Sequence, residues 1–142
     1  MDYKELAKIF LSNWQNCRKN PDFRHFDENT KGEMFVLQCI AAKNSAVYPN
    51  EISDETLISS ARVAITLNNL ENKGYLERKI DKQDRRRVII SLTEKGAAKA
   101  AEHYERLLGQ IALMLENLGE TDAIEYVRLT KKAFGSMEVD NA

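Results

Sequence analysis

The hydrophobic positions in the middle of the chain follow first a helical period and then a strand period. Val63, Leu67 and Leu70 recur at spacings of four and three, which places them on one face of a helix. Ser59 stands where an N-cap is expected, and Gly74 follows the last periodic position as a left-handed C′ residue would. The pattern therefore predicts a helix bounded by these two residues.

After this helix the hydrophobic period changes to two. Leu76 and Ile80 lie on one side of a short charged strand, and apolar residues alternate again over 88–92. The stretch between the strands, residues 81–87, contains no apolar side chain and ends in three consecutive arginines. A helix followed by a two-stranded ribbon with a basic tip is typical of a winged helix.

The exposed face of the predicted helix combines small, amide and apolar side chains with one arginine. Its members are Ala61, Arg62, Ile65, Asn68 and Asn69. A helix with such a face can lie in a DNA major groove, where its N-terminal residues read base edges. The amides around Ser59 and Ser60 would favour a phosphate. An ordinary amphipathic surface helix would show the same pattern.

The tip of the ribbon carries Lys82, Arg85, Arg86 and Arg87. Adjacent like charges repel one another and add nothing to a fold, whereas a nearby polyanion would stabilise them. Arginine side chains also enter narrow minor grooves of DNA. The tip is thus either a minor-groove contact or a solvated hairpin end.

These elements occur in an order that resembles a known family. The helix, the glycine and the two strands are accompanied by Asp84-Arg85-Arg86 and by Leu92-Thr93-Glu94-Lys95-Gly96. This combination over residues 31–100 resembles the MarR family of bacterial winged helix-turn-helix transcriptional regulators.

The resemblance implies a dimer of winged helix-turn-helix subunits. It implies that Arg86 enters the minor groove and that Asp84 helps to hold the wing in place. Relatives often carry a basic or polar residue where this chain has Ile65. An isoleucine there would touch a thymine methyl group, or it would signal altered reading of DNA.

The remaining chain is predicted to be mostly helical. Residues 2–18 form an apolar-faced helix, 19–30 a loop in which Phe23 and Phe26 act as anchors, and 31–43 a second helix with Met34, Leu37, Ile40 and Ala41 inward. Pro49 to Thr56 is the predicted first helix of the helix-turn-helix, because proline suits a first helical position.

A long helix is predicted from an N-cap at Thr93 to Asn117, and a last helix from Glu120 to Phe134 after a break at Gly119. The long helix carries a heptad seam, namely Ala97, Ala101, Tyr104, Leu108, Ile111, Leu115 and Leu118. The last helix is predicted to turn Ile124, Val127 and Phe134 inward.

The fold class is therefore mainly α with a small β ribbon. Residues 1–142 form a single domain, in which 31–100 is the winged helix-turn-helix core and 1–20 and 100–135 are dimerisation helices. Surplus apolar surface at both ends predicts a homodimer, and the alternative is an intramolecular helical bundle. Two subunits related by symmetry would present two reading helices one DNA turn apart.

Charge supports a local site for a polyanion. The net charge of the chain is −1, but residues 59–99 carry ten basic and five acidic side chains, a net charge of +5 against −6 for the rest. Solvated helix faces would produce part of this difference.

No residue pattern indicates an enzyme, a metal site or a cofactor. His25 and His103 are far apart, and Cys17 and Cys39 form no paired motif. Cys17 is expected to be a buried thiol, with a redox sensor as the alternative. No apolar run reaches the length of a membrane span, so a cytoplasmic protein without a membrane partner is expected.

The sequence thus predicts a regulator that binds a near-palindromic stretch of double-stranded DNA, most simply a repressor. A small-molecule effector of unknown identity follows only from the family resemblance. The alternative function is a winged-helix protein-interaction module. Two features favour it, namely Ile65 and the acidic helix before the reading helix.

Overall fold

A computed structural model describes residues 1–21, 23–24 and 32–135 of the chain. It divides into two compact units, residues 1–107 and the residues from 108 onward. The elements of the first unit are α1 (Tyr3–Cys17), α2 (Gly32–Ala42), α3 (Pro49–Thr56), α4 (Ser60–Asn72), β1 (Leu76–Ile80) and β2 (Val88–Leu92). Helix α5 (Glu94–Leu118) begins in the first unit and ends in the second, which also contains α6 (Glu120–Gly135). The predicted class, mainly α with a β ribbon, is confirmed.

Helices α3 and α4 have the bounds that their end signals predict. Pro49 opens α3, and the Ser59 hydroxyl caps α4 by accepting the amide of Arg62 at 3.3 Å. At the other end of α4, Gly74 has φ +79°, and the amide of Tyr75 reaches back to the Leu70 carbonyl at 3.0 Å. This is a Schellman ending, in which glycine adopts the left-handed conformation at little cost.

The turn between α3 and α4 is held by side-chain hydrogen bonds. The Ser53 hydroxyl donates to the carbonyl of Ile58 at 2.7 Å, and the Thr56 hydroxyl donates to the carbonyl of Ile52 at 2.6 Å. Leu57 follows α3 in a left-handed conformation with φ 56°, and its side chain is 91% exposed. An apolar residue thus occupies a position that disfavours a β-carbon and faces solvent.

The core of the first unit joins the helix-turn-helix to the ribbon. It comprises Val36, Leu37, Ile40, Val47, Ile52, Val63, Leu67, Leu70, Leu76, Ile90 and Ala100. Of the predicted inward residues of α2, Leu37 and Ile40 are buried, and Met34 and Ala41 are partly buried and pack against the core. Val36, which was not among the predicted residues, is also fully buried. Apolar residues occupy most of α2, so their spacing alone does not single out Val36 as a core residue.

Strands β1 and β2 pair antiparallel, with Leu76 opposite Leu92 and Ile80 opposite Val88. A third short segment joins them, because Val47 exchanges both backbone hydrogen bonds with Ile90, at 2.9 and 2.8 Å. This bridge holds Val47 beside the ribbon, two residues before α3 begins. Residues 45–48 therefore do more than link α2 to α3.

The start of α5 is fixed to the end of α4. The Thr93 hydroxyl donates to the Gly74 carbonyl at 2.6 Å and accepts the amide of Gly96 at 3.0 Å. The Thr93 amide also donates to the Tyr75 carbonyl at 3.1 Å. A β-carbon at Gly96 would lie 1.8 Å from that carbonyl oxygen. The Leu-Thr-Glu-Lys-Gly segment therefore packs the start of α5 directly against the backbone that follows α4.

The predicted loop over 19–30 is confirmed at Lys19 and Asn20, which form a turn, and is wrong at the other three described residues. Pro21, Phe23 and Arg24 are helical, and the ring of Phe23 packs edge-on against Trp14 with centroids 5.3 Å apart. The polar composition concealed a short helical segment that Trp14 stabilises. Phe26 and His25 lie outside the described residues.

The terminal helices expose the apolar faces that were expected to be covered. Leu6, Phe10 and Trp14 of α1 are exposed, and so is Cys17, whose predicted burial is wrong within one chain. On α6, the prediction that three apolar residues turn inward is also wrong within one chain. The residues concerned are Ile124, Val127 and Phe134, all exposed.

The heptad seam of α5 is likewise open. Tyr104, Leu108 and Leu118 are exposed, while the buried positions Gly96, Ala100 and His103 lie on another face of the helix. Within the described ranges, none of the helices combines the length and the apolar character that crossing a bilayer would require.

Candidate nucleic-acid interface

Helix α4 presents the face that the sequence predicts. Val63, Leu67 and Leu70 are buried in the core, and they fix the rotation of the helix about its axis. The predicted base-facing residues are all exposed, namely Ala61, Arg62, Ile65, Asn68 and Asn69. Ile65 keeps 61% of its surface accessible although it is the largest apolar residue on this face.

Over the stretch that the structure describes, the N-terminus of α4 leaves backbone amides exposed and unpaired. Ser59 and Ser60 are both exposed, and the Ser59 side chain accepts the amide of Arg62. Among the described residues, the amides of Ser60 and Ala61 donate to no protein group. Free amides at a helix N-terminus carry a partial positive charge and point outward, as phosphate binding requires.

The tip of the ribbon, called the wing here (residues 81–87), is shaped by Asp84. Its carboxylate accepts the amide of Arg86 at 3.1 Å and the Nε of the same arginine at 3.3 Å. Its carbonyl accepts the amide of Arg87 at 2.9 Å. Arg86 nevertheless remains 91% exposed along its side chain, and Lys82 and Arg85 are also exposed. The wing thus holds its cations outward on an ordered turn.

The base of the wing is locked by a cluster that the sequence reasoning missed. The Tyr48 hydroxyl donates to the Asp81 carboxylate at 2.5 Å, and the amide of Gln83 donates to the same carboxylate at 2.9 Å. The guanidinium of Arg87 lies over the Tyr48 ring, 3.6 Å from its centroid. The Asp81 amide donates to the Arg87 carbonyl at 2.9 Å. Tyr48 immediately precedes α3, so the cluster ties the wing to the helix-turn-helix.

The titration of this cluster follows from its hydrogen bonds. The bond from Tyr48 and the amide of Gln83 hold the pKa of Asp81 below its ordinary value. The same bond to Asp81, together with burial, raises the pKa of Tyr48. Only 7% of Asp81 is exposed, yet its carboxylate stays ionised because its oxygens accept hydrogen bonds from Tyr48 and Gln83.

The predicted DNA-binding residues of the wing therefore fall into two groups. Arg85, Arg86 and Lys82 extend from the wing, whereas Arg87 stacks on Tyr48 and positions the wing. The hint in the sequence was a tyrosine placed directly before the proline of α3. Its partner, Asp81, lies 33 positions further along the chain.

Other reactive side chains do not assemble into a site in the described part of the chain. His103 is 3% exposed, and neither ring nitrogen has a hydrogen-bond partner among the described residues. Burial and the nearby Glu55 raise the pKa of the Cys39 thiol, which lowers its nucleophilicity at neutral pH.

Comparisons with known proteins agree with this geometry. Residues 33–111 match the family described as winged helix DNA-binding domain. The uncharacterized HTH-type transcriptional regulator YwhA of Bacillus subtilis is 31% identical over 104 residues, which cover 73% of this chain and 73% of YwhA. The HTH-type transcriptional repressor YetL of the same organism is 22% identical over 137 residues, which cover 93% of this chain and 82% of YetL.

Solved structures show the same fold. FabT of Streptococcus pneumoniae, crystallised in complex with DNA, superposes with a TM-score of 0.70 at 24% identity, covering 94% of this chain and 96% of FabT. Wild-type MarR of E. coli in its apo form superposes with a TM-score of 0.69 at 20% identity, covering 90% of this chain and 96% of MarR. The chain belongs to the winged helix DNA-binding domain family, and it has the MarR fold that its sequence resemblance implies.

Proposed function

We propose that this protein is a transcriptional repressor that binds a near-palindromic operator as a homodimer. The observation that carries the proposal is the pairing, in one compact unit, of an exposed α4 face with an ordered wing that displays exposed cations. A fold shared with a regulator crystallised on DNA supports it. The net charge of +5 over residues 59–99 supplies the electrostatic attraction to a duplex.

Each group on this surface has a defined task in the proposal. Ser59, Ser60 and the amides of the first turn of α4 hold a phosphate and set the register of the helix on the duplex. The side chains that face the bases are Arg62, Ile65, Asn68 and Asn69. Arg85 and Arg86 reach the minor groove, and Lys82 contacts the adjacent backbone.

Arg87 and Asp84 act within the wing. Asp84 orders the tip by accepting two bonds from Arg86, and Arg87 packs on Tyr48. The proposal keeps Arg87 near the phosphate backbone, but its main task is to orient the wing. Loss of Arg87 would therefore change the position of the other cations as well as removing one charge.

The dimer in this proposal is built from the terminal helices. The exposed apolar residues of α1, α5 and α6 are numerous enough to need a cover, and a second copy of the chain provides one without a second gene product. In a symmetric dimer the two α4 helices would lie about 34 Å apart, one turn of DNA. The operator would then be near-palindromic.

An effector site in this proposal is the cavity of about 530 Å³ between the end of α2, the end of β2 and the first turns of α5. Its polar lining consists of Gln38, Asn44, Ser45, Ser91 and Tyr104, and it contains no charged side chain. Such a lining fits an uncharged small molecule. Binding there would shift α5 against α4 and so change the population of the DNA-competent state.

The test is a mobility-shift assay with DNA fragments that flank the gene for this protein. We expect one fragment to be retarded at moderate salt and to resist competition by unrelated duplex. Binding of every fragment alike, or of none even at low salt, would contradict the proposal and favour the protein-interaction module. Light scattering of the free protein should give twice the chain mass, and a monomer would contradict the dimer.

A further inference from the structure

The centre of the exposed α4 face carries no charge. Ala61, Ile65, Asn68 and Asn72 follow one another at spacings of four, three and four, which directs them away from Val63, Leu67 and Leu70 in the core. The nearest cation, Arg62, lies on the flank of this stripe. The surface that would lie deepest in a groove is therefore one methyl group, one branched aliphatic chain and two amides.

Ile65 is exposed where a surface helix normally carries a polar residue. On α4, which is described throughout, it is the one large apolar side chain that faces solvent. A single exposed isoleucine is unremarkable on an arbitrary surface. On the centre line of a reading helix it has a specific complement, because the 5-methyl group of thymine is the apolar feature of the major groove.

The amide side chains beside Ile65 are available to a ligand. Within the described residues, the amides of Asn68 and Asn69 make no hydrogen bond to the protein, whereas the hydroxyl of Thr66 donates to the Arg62 carbonyl at 2.9 Å. An asparagine amide is matched to adenine, since it can donate to N7 and accept from N6. Guanine is read most often by arginine or lysine, and this stripe has neither.

We propose that α4 reads A·T base pairs, with Ile65 against a thymine methyl group and Asn68 on an adenine edge. This inference rests on the proposed function and adds the class of sequence that the site selects. The specificity-determining residue is Ile65, since its contact exists only where a methyl group is present. Arg62 then contacts a phosphate or a single guanine at the end of the half-site.

The experiment begins with selection of bound duplexes from a random pool by the full-length protein. The enriched duplex is then remade with each thymine of one half-site replaced singly by deoxyuridine, which removes only the 5-methyl group. Affinities are measured by fluorescence anisotropy at constant salt for the wild type and for Ile65→Ala. Because Ile65 is exposed, the variant should keep the wild-type circular dichroism spectrum and melting temperature.

For the wild type we expect one uridine position in the half-site to weaken binding about fourfold, the value of one buried methyl group. Ile65→Ala should bind the thymine and uracil versions of that duplex equally. Asn68→Ala should lose its sensitivity to 7-deazaadenine, which lacks the N7 acceptor, at the adjacent adenine. The uridine positions that Ile65 does not touch serve as internal controls.

Three outcomes would overturn the inference. They are an enriched half-site whose central pairs are G·C, a wild type that is indifferent to every uridine, and an Ile65→Ala variant that keeps the full uridine penalty. In each of these the protein still selects DNA, so the proposed function survives. A pool without any enriched sequence would overturn the proposed function and the inference together.

Discussion

Replacing Gly96 by alanine tests the junction that holds α4 against α5. The new methyl carbon would lie 1.8 Å from the Tyr75 carbonyl oxygen and 2.7 Å from its carbon. Both are backbone atoms, so no rotation of a side chain relieves the overlap. Helix α5 must therefore move away from the end of α4.

That movement removes identifiable contacts. The hydrogen bonds from Thr93 to the carbonyls of Gly74 and Tyr75, at 2.6 and 3.1 Å, would both be lost. Two such bonds contribute about 2 kcal/mol, and overpacking costs a further 1–3 kcal/mol or so. We expect Gly96→Ala to lower the free energy of unfolding by about 3–5 kcal/mol, or to lower the melting temperature by roughly 10–15 °C.

Gly109→Ala is the matched control, because it adds the same methyl group to the same helix. A β-carbon at Gly109 would meet no atom within 4 Å. This variant should gain about 0.5–1 kcal/mol from helix propensity. The assay is thermal and urea unfolding followed by circular dichroism at one protein concentration. A Gly96→Ala variant as stable as Gly109→Ala would refute the account of the junction.

Three further predictions concern the helix-turn-helix and the wing. Leu57→Asn should raise the free energy of unfolding by about 0.5–1 kcal/mol, since asparagine tolerates the left-handed conformation, and an unchanged urea midpoint would count against strain there. Leu67→Ala should cost about 2–5 kcal/mol, because Leu67 is fully buried, and a loss below 1 kcal/mol would contradict that packing. Because the pKa of Asp81 is depressed in the folded state, its ionised carboxylate stabilises the fold above the ordinary pKa of 3.8, and this stabilisation is lost as the pH falls below that value. Tyr48→Phe removes the main cause of the depression, so a pH series of melting temperatures should show a smaller loss of stability in acid. A pH profile identical to that of the wild type would argue against the lock.

The sequence predicts the helix-turn-helix well because its signals are local. Pro49 and Ser59 mark the starts of two helices, and Gly74 marks the end of the second. Each of these residues acts on backbone atoms that lie within a few positions of it in the sequence. The buried face of α4 also follows from spacing alone. The opposite face of α4 must then be the exposed one, and the proposed function requires that face.

The lock at the base of the wing could not be predicted in this way. Tyr48 and Asp81 are far apart in the sequence, and they meet only because Val47 pairs with Ile90 and brings the chain beside the ribbon. Nothing in the composition of residues 45–48 signals that pairing. The role assigned to Arg87 changes for the same reason, since its partner is distant in sequence.

The terminal helices show what periodicity leaves open. An apolar stripe on α6 indicates that something should cover it, but it does not say whether the cover comes from the same chain. The sequence predicts that Ile124, Val127 and Phe134 turn inward and also that the terminal helices form a dimer interface, and one chain leaves the three residues exposed. The dimer remains a proposal that these exposed residues support.

We infer that the wing and α4 bind duplex DNA together, and the salt dependence of binding is the sharpest check of this claim. Affinity for the retarded fragment would be measured over a range of salt concentrations for the wild type, for Arg86→Ala and for Arg106→Ala. Arg106 is a control that removes one positive charge from α5, where the side chain pairs with Glu102 at 2.9 Å. We expect Arg86→Ala to weaken binding and to lower the slope of log K against log salt by about one unit per bound wing. Arg106→Ala should leave the slope unchanged, and an unchanged slope and affinity for Arg86→Ala would contradict the claim.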